Sequence, residues 1–193
     1  GPVLASVPSG EPAAGEAAYL EPFGRFARMM ALAGVAPTLR VLLVPDYLPD
    51  SARLEAQSRL WREVSNMIPS YVVKMQMCEG PFEDDEGIAS HFGSTALSHT
   101  TEAKQVAALK VDMHVSVVKL ARHAAMHQPR LILGEGQGAI VAAAYAKPGF
   151  LEQALATRNV QPAELPELSR AWGNVAAVLI HEPRLSKKSV QLE

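Results

Sequence analysis

Residues 131–144 read LILGEGQGAIVAAA, and the order of residue types in them decides the fold class. An apolar run leads into glycines at alternate positions, Gly134, Gly136 and Gly138, and then into a series of small residues. Glycine permits positive φ in a turn, and lacking a Cβ it lets a helix lie close to a strand. The segment therefore reads as a buried strand, a tight turn and a helix packed on a sheet. The same alternation repeats on either side. RVLLVPDY (40–47) is a Val- and Leu-rich run with the signature of a buried strand. Asp50 or Ser51 is placed to cap a helix running to about Met67, with Leu54, Trp61, Val64 and Ile68 as its apolar stripe and Pro69 as its stop. YVVKMQM (71–77) is a second strand. Thr100 or Thr101 opens a long helix ending near Gln128, in which Val106, Leu109, Met113, Val117, Leu120 and Ala124 recur at three- and four-residue steps. Helical stretches over FLEQALATRN (150–159) and PAELPELSRAWG (162–173) lead to a fourth strand in NVAAVLIHEP (174–183).

Strands separated by helices imply parallel pairing through right-handed crossovers. The expected fold is α/β: a three-layer, doubly wound, mainly parallel sheet of four strands in the order 2-1-3-4, flanked by helices. That order puts a switch point between strands one and three, so a binding crevice is expected at their C-terminal ends. The domain is expected to cover residues 38–185. Residues 1–37 read as a flexible arm with a helix near 17–33, carried by Phe23, Phe26, Met29, Met30 and Leu32, and residues 186–193 as a polar tail.

Composition narrows the function classes. The 193 residues carry 18 Lys+Arg against 20 Asp+Glu, a net charge of -2, which supplies no global basic field for nucleic acid. One cysteine, Cys78, excludes an internal disulfide framework and any multi-cysteine zinc site. No apolar run reaches the roughly 20 residues of a membrane span, so an intracellular, cytoplasmic protein without membrane contact is expected.

The strand–turn–helix at 131–144 resembles the nucleophile elbow of the α/β-hydrolases, G-x-S-x-G, and in particular the G-x-S-Q-G-A form of the small serine hydrolases. The resemblance extends over residues 38–183 and implies a truncated hydrolase core. Gly136 stands where that family has its nucleophile, and the later strands that supply the family's acid and histidine have no counterpart here. The resemblance leaves the Gln137 backbone N–H as half of an oxyanion hole. RVLLVPDYLPD, GEGQGA, RNVQ and AWGNV also resemble segments of dinoflagellate retrotransposon-like polyproteins, which implies an accessory or structural domain without assigned chemistry.

The residues expected at the strand ends are Asp46 and Tyr47, Cys78 and Glu79, Gly134 through Glu135, Gly136 and Gln137 to Gly138, and His181 and Glu182. Cys78 is the only replacement nucleophile, with His91 and His99 following in a long polar loop, CEGPFEDDEGIASHFGSTALSHT (78–100). The neighbouring Glu79, Glu83, Asp84, Asp85 and Glu86 oppose a thiolate, which favours a structural cysteine. His123 and His127 have the four-residue spacing of metal ligands, although a histidine pair in the last helical turn also suits the helix dipole. Asp46, Glu135, His181 and Glu182 are donors suited to a divalent metal if the rim converges. The glycine turn is a weaker candidate for phosphate, since it lacks the P-loop ending and carries Glu135. Basic residues are scattered over the C-terminal half: Arg122, Arg130, Lys147, Arg158, Arg170, Arg184, Lys187 and Lys188.

These readings lead to a non-catalytic interaction or assembly domain without a cofactor. It is expected to meet a protein partner or a second copy through an open sheet edge or the N-terminal helix. The alternatives are a hydrolase or transferase working at the rim, through Cys78 or a metal, and a phosphate- or nucleotide-binding domain.

Overall fold

The computed structural model describes residues 2–6, 36–94, 96, 101–158 and 160–185. The helix expected near 17–33, His99 and the tail at 186–193 lie outside the described residues. In chain order the elements are β1 (Val3–Ser6), β2 (Thr38–Val44), α1 (Asp50–Met67), β3 (Val72–Met77), β4 (Phe82–Glu83), β5 (Ala89–Ser90), α2 (Glu102–His127), β6 (Leu131–Glu135), α3 (Gln137–Ala146), α4 (Pro148–Thr157), α5 (Leu165–Asn174) and β7 (Ala177–His181). The architecture is mixed α/β, a parallel sheet flanked by helices.

The main sheet has five strands in the order β1-β7-β6-β2-β3, so the expected count of four is corrected. The added strand comes from the Pro- and Gly-rich N-terminal stretch, where Val3–Ser6 pairs with Ala177–Ile180 of β7. Four residues of VLAS carry no strand signal of their own; the exposed edge of β7 supplies the missing half of the ladder. A two-stranded hairpin of β4 and β5 also appears inside the long polar loop. Its turn is organised by Asp84, whose Oδ1 accepts the Glu86 and Ile88 backbone N–H groups at 3.0 and 2.8 Å.

The central strands are apolar on both faces because each face meets a separate core. Leu42 and Val44, Ile132 and Val178 face α2, α3, α4 and α5. Leu39, Val41 and Leu43, with Leu131, Leu133, Ala177 and Leu179, face the other way, into the core that Val64 of α1 and Ile68 at its C-cap join; Leu54 and Trp61, expected in the same stripe, are exposed. A parallel strand buried on both sides shows as a near-continuous Val/Leu/Ile run. Burying each such side chain contributes about 1.5–3 kcal/mol.

Helix ends follow local chemistry with one difference from expectation. Pro49 rather than Asp50 or Ser51 occupies the N-cap of α1, and Asp50 pairs with Arg53 inside the first turn. At the end of α2, Gln128 takes the left-handed conformation (φ 49) and Pro129 follows, closing the helix. The small residues of α3 let it approach the sheet. A Cβ at Gly138 would sit 2.0 Å from the Val44 carbonyl oxygen, so only glycine allows this spacing.

Candidate functional site

The turn between β6 and α3 sits at the C-terminal ends of the central strands. Gly136 is its apex and N-cap of α3, with φ 56 and ψ -117, a region that residues with a side chain enter only under strain. Its N–H donates to the His181 carbonyl at 3.1 Å, and its own carbonyl accepts from the Arg184 backbone N–H at 3.2 Å. Both ends of the apex are thereby tied to the segment leaving β7.

Asp46, just beyond β2, fills the space over this apex. Its side chain is 4% exposed, and a Cβ built on Gly136 would lie 2.0 Å from its carboxyl carbon. Asp46 Oδ1 accepts the Gln137 backbone N–H at 2.8 Å. Its Oδ2 accepts from Arg184 Nε at 2.8 Å and Nη2 at 2.7 Å. The amide expected to serve as half an oxyanion hole therefore already serves an internal carboxylate. The same contact uses the helix N-terminus that would otherwise attract a phosphate.

Below the apex lies a buried polar web. Gln137 is fully buried, and its Oε1 accepts the His91 backbone N–H at 3.2 Å, with the Ser90 hydroxyl 3.0 Å away. His91 Nε2 lies 3.1 Å from the Pro45 carbonyl, an acceptor only, which places the ring proton on Nε2. The Ser116 hydroxyl donates to the His91 carbonyl at 2.6 Å. These bonds fasten the long loop against the turn. Burial drives the His91 pKa down to about 4, so folding favours the neutral ring. The unfolded chain then binds more protons between the ordinary histidine pKa near 6.5 and the folded value. Stability contributed by neutral His91 is therefore present above pH 6.5 and drains away toward pH 4, by about 3 kcal/mol in all. Urea unfolding across that range is expected to show this slope in the native chain and to lose that share of it in His91→Gln.

Cys78 is 1% exposed, and burial first, opposed by Lys119 and reinforced by Glu79, raises its thiol to about 12. It is a neutral thiol inside the core, where burial outweighs the support that Lys119 gives a thiolate. Tyr47 points elsewhere in the rim: its hydroxyl bonds Asp84 of the hairpin turn, and that bond leads the causes that raise its pKa to about 12.

The second feature of the rim is an open cleft of about 510 Å³ between α1 and the ends of β6 and β7. Glu135 lies at its base, 11% exposed in its side chain, and its Oε1 pairs with Arg59 Nη2 at 2.8 Å. His181 stands between two carboxylates, Nδ1 at 3.9 Å from Glu135 and Nε2 at 4.0 Å from Glu182. Arg184 Nη1 lies 3.5 Å from Glu182.

The expected rim therefore divides. Asp46, Gly136 and Gln137 form the closed apex, packed by Gly134 and Gly138; Glu135, His181 and Glu182 line the cleft. His123 and His127 have ring centroids 6.1 Å apart near the end of α2, and His123 Nδ1 lies 3.1 Å from the Lys119 carbonyl. Among the described residues no group of three or more His, Cys, Asp and Glu side chains is placed to hold a metal, so the Asp46, Glu135, His181 and Glu182 set is not drawn together as donors. The residues that sequence reasoning passed over are Arg59 and Arg62. Glu55, Arg59 and Arg62 recur at helical spacing on α1, which is the signal that one charged helix face borders the rim.

A scan against protein-family models gives no match, and a comparison with curated protein sequences gives none either. Among the described residues no helix is long and apolar enough to cross a membrane.

Proposed function

We propose that this chain is a non-catalytic interaction domain with an α/β-hydrolase-like core. The observation that carries this reading is the Asp46 carboxylate lying where a side chain at position 136 would project. An elbow enzyme needs an attacking atom at the apex and a free donor beside it. Here the apex residue has no side chain, and the adjacent N–H is held by Asp46 at 2.8 Å. The strand–turn–helix is retained as a scaffold that joins β2, β6 and β7 around one half-buried ion pair, Asp46 with Arg184. Incubation with a fluorophosphonate probe followed by intact-mass measurement is expected to leave the protein mass unchanged. A stoichiometric adduct that disappears when the protein is denatured before labelling contradicts the reading.

A further inference from the structure

We infer that the free edge of β3 is a docking site for an extended, alternately apolar and acidic segment of a partner protein, added as a sixth strand. The inference deepens the interaction-domain reading and rests on it. Among the described residues β1 pairs along β7 at one end of the sheet, and β3 is the edge strand at the other end.

The ladder to β2 shows which backbone groups are unpaired. Val72 N–H donates to Pro37 and Cys78 N–H to Leu43, so by parallel alternation residues 72, 74, 76 and 78 face β2 and residues 73, 75 and 77 face outward. The Val73 carbonyl accepts the Trp61 indole N–H at 3.1 Å. The outward groups of Met75 and Met77 have no hydrogen-bond partner among the described residues. An incoming strand would find two donors and two acceptors in line, the usual basis of strand addition.

Both sides of that edge match one pattern of side chains. On the side of Met75, a recess of about 400 Å³ is lined by Trp61, Met75, Gln57, Ser58 and Arg62. Trp61 is 43% exposed, and Leu54, two turns earlier on the same side of α1, is 60% exposed. Alternate residues of an added strand project here, where apolar side chains fit. On the opposite side Lys74 and Arg40 are exposed at matched register, bordering a shallow groove with Met126 and His127. No carboxylate pairs with Lys74 or Arg40 among the described residues, so the other alternate residues meet two unopposed cations. The charge decides between occupants. A second copy pairing edge to edge about Lys74 would set like charges together, which edge lysines serve to prevent. An acidic strand is attracted instead.

The test uses a fluorescein-labelled synthetic eight-residue peptide alternating valine and glutamate, read by fluorescence anisotropy on the intact chain. The expected result is saturable binding, weakened tenfold or more when lysine replaces glutamate in the probe or when the probe amides that face β3 are N-methylated. Lys74→Glu, an exposed change, is expected to produce the same loss. Met75→Pro removes an outward N–H without breaking a bond to β2, and is expected to do so as well. Equal binding of the glutamate and lysine probes, or no binding of either, overturns the inference. A dimer in light scattering that Lys74→Glu abolishes overturns it in favour of a second copy. None of these outcomes bears on the fluorophosphonate result, so the two proposals fail separately.

Discussion

Gly136→Ser is expected to destabilise the domain by about 3 kcal/mol or more and to bring no esterase activity with it. Two effects combine. The apex has φ 56 and ψ -117, and holding a residue with a side chain there costs about 1–3 kcal/mol. The new Cβ would also fall 2.0 Å from the Asp46 carboxyl carbon and 2.1 Å from its Oδ1, well inside contact distance. Relief requires Asp46 to leave, which abandons the Gln137 N–H and the Arg184 guanidinium together. A hydrolase would gain its nucleophile by this change; here the pocket for it is already filled. Urea unfolding and an ester-hydrolysis assay check the two halves. A variant as stable as the native chain, or one that turns over ester, contradicts the account.

Asp46→Ala is expected to cost about 3 kcal/mol, one of the larger losses available from a single polar side chain. Truncation leaves a buried backbone donor at Gln137 and a guanidinium that is 34% exposed in its side chain. The solvated part of Arg184 lowers the penalty below that of a fully buried pair. Asp46→Asn keeps an acceptor for Gln137 but presents an amide or a neutral oxygen to Arg184, so an intermediate loss is expected. For a domain near this size each kcal/mol lowers Tm by roughly 2–4 °C, and calorimetry on the three proteins gives the order native, Asn, Ala. Equal Tm values would mean that the carboxylate does not hold the turn.

Much of this arrangement is legible in the residues alone. β2 and β6 are read correctly because strands covered on both faces leave unbroken apolar runs, and α2 because its stripe recurs from Leu109 to Ala124, although Val106, expected to open that stripe, is 59% exposed. The glycines at 134, 136 and 138 announce a close-packed turn. What escapes is whatever depends on a distant partner. β1 exists only against β7, and the β4–β5 hairpin depends on Asp84 and on Gly87 at φ 76. Asp46 meets Gln137 across 91 positions and Arg184 across 138, separations at which no periodicity reports a contact. Cys78 shows the same limit in its chemistry. Its acidic sequence neighbours point toward a raised pKa, but burial is the larger cause and follows from packing alone.

The rim cleft and the β3 edge differ in the same way. Glu135, His181 and Glu182 are placed at strand ends by the fold class, whereas Arg59 reaches Glu135 from α1 across 76 positions of sequence. The edge of β3 becomes available because α1 covers one side of it and α2 stops short on the other, leaving Lys74 and Gln76 exposed.

A double-mutant cycle between Gly136→Ser and Asp46→Ala decides whether Asp46 occupies the space of an apex side chain. Urea unfolding of the native chain, both single variants and the double variant supplies the coupling energy. Gly136→Ser is expected to cost at least about 1 kcal/mol less when Asp46 is already alanine, because the colliding carboxylate is gone. An equal cost in both backgrounds would contradict it, showing that the two residues do not compete for the same space.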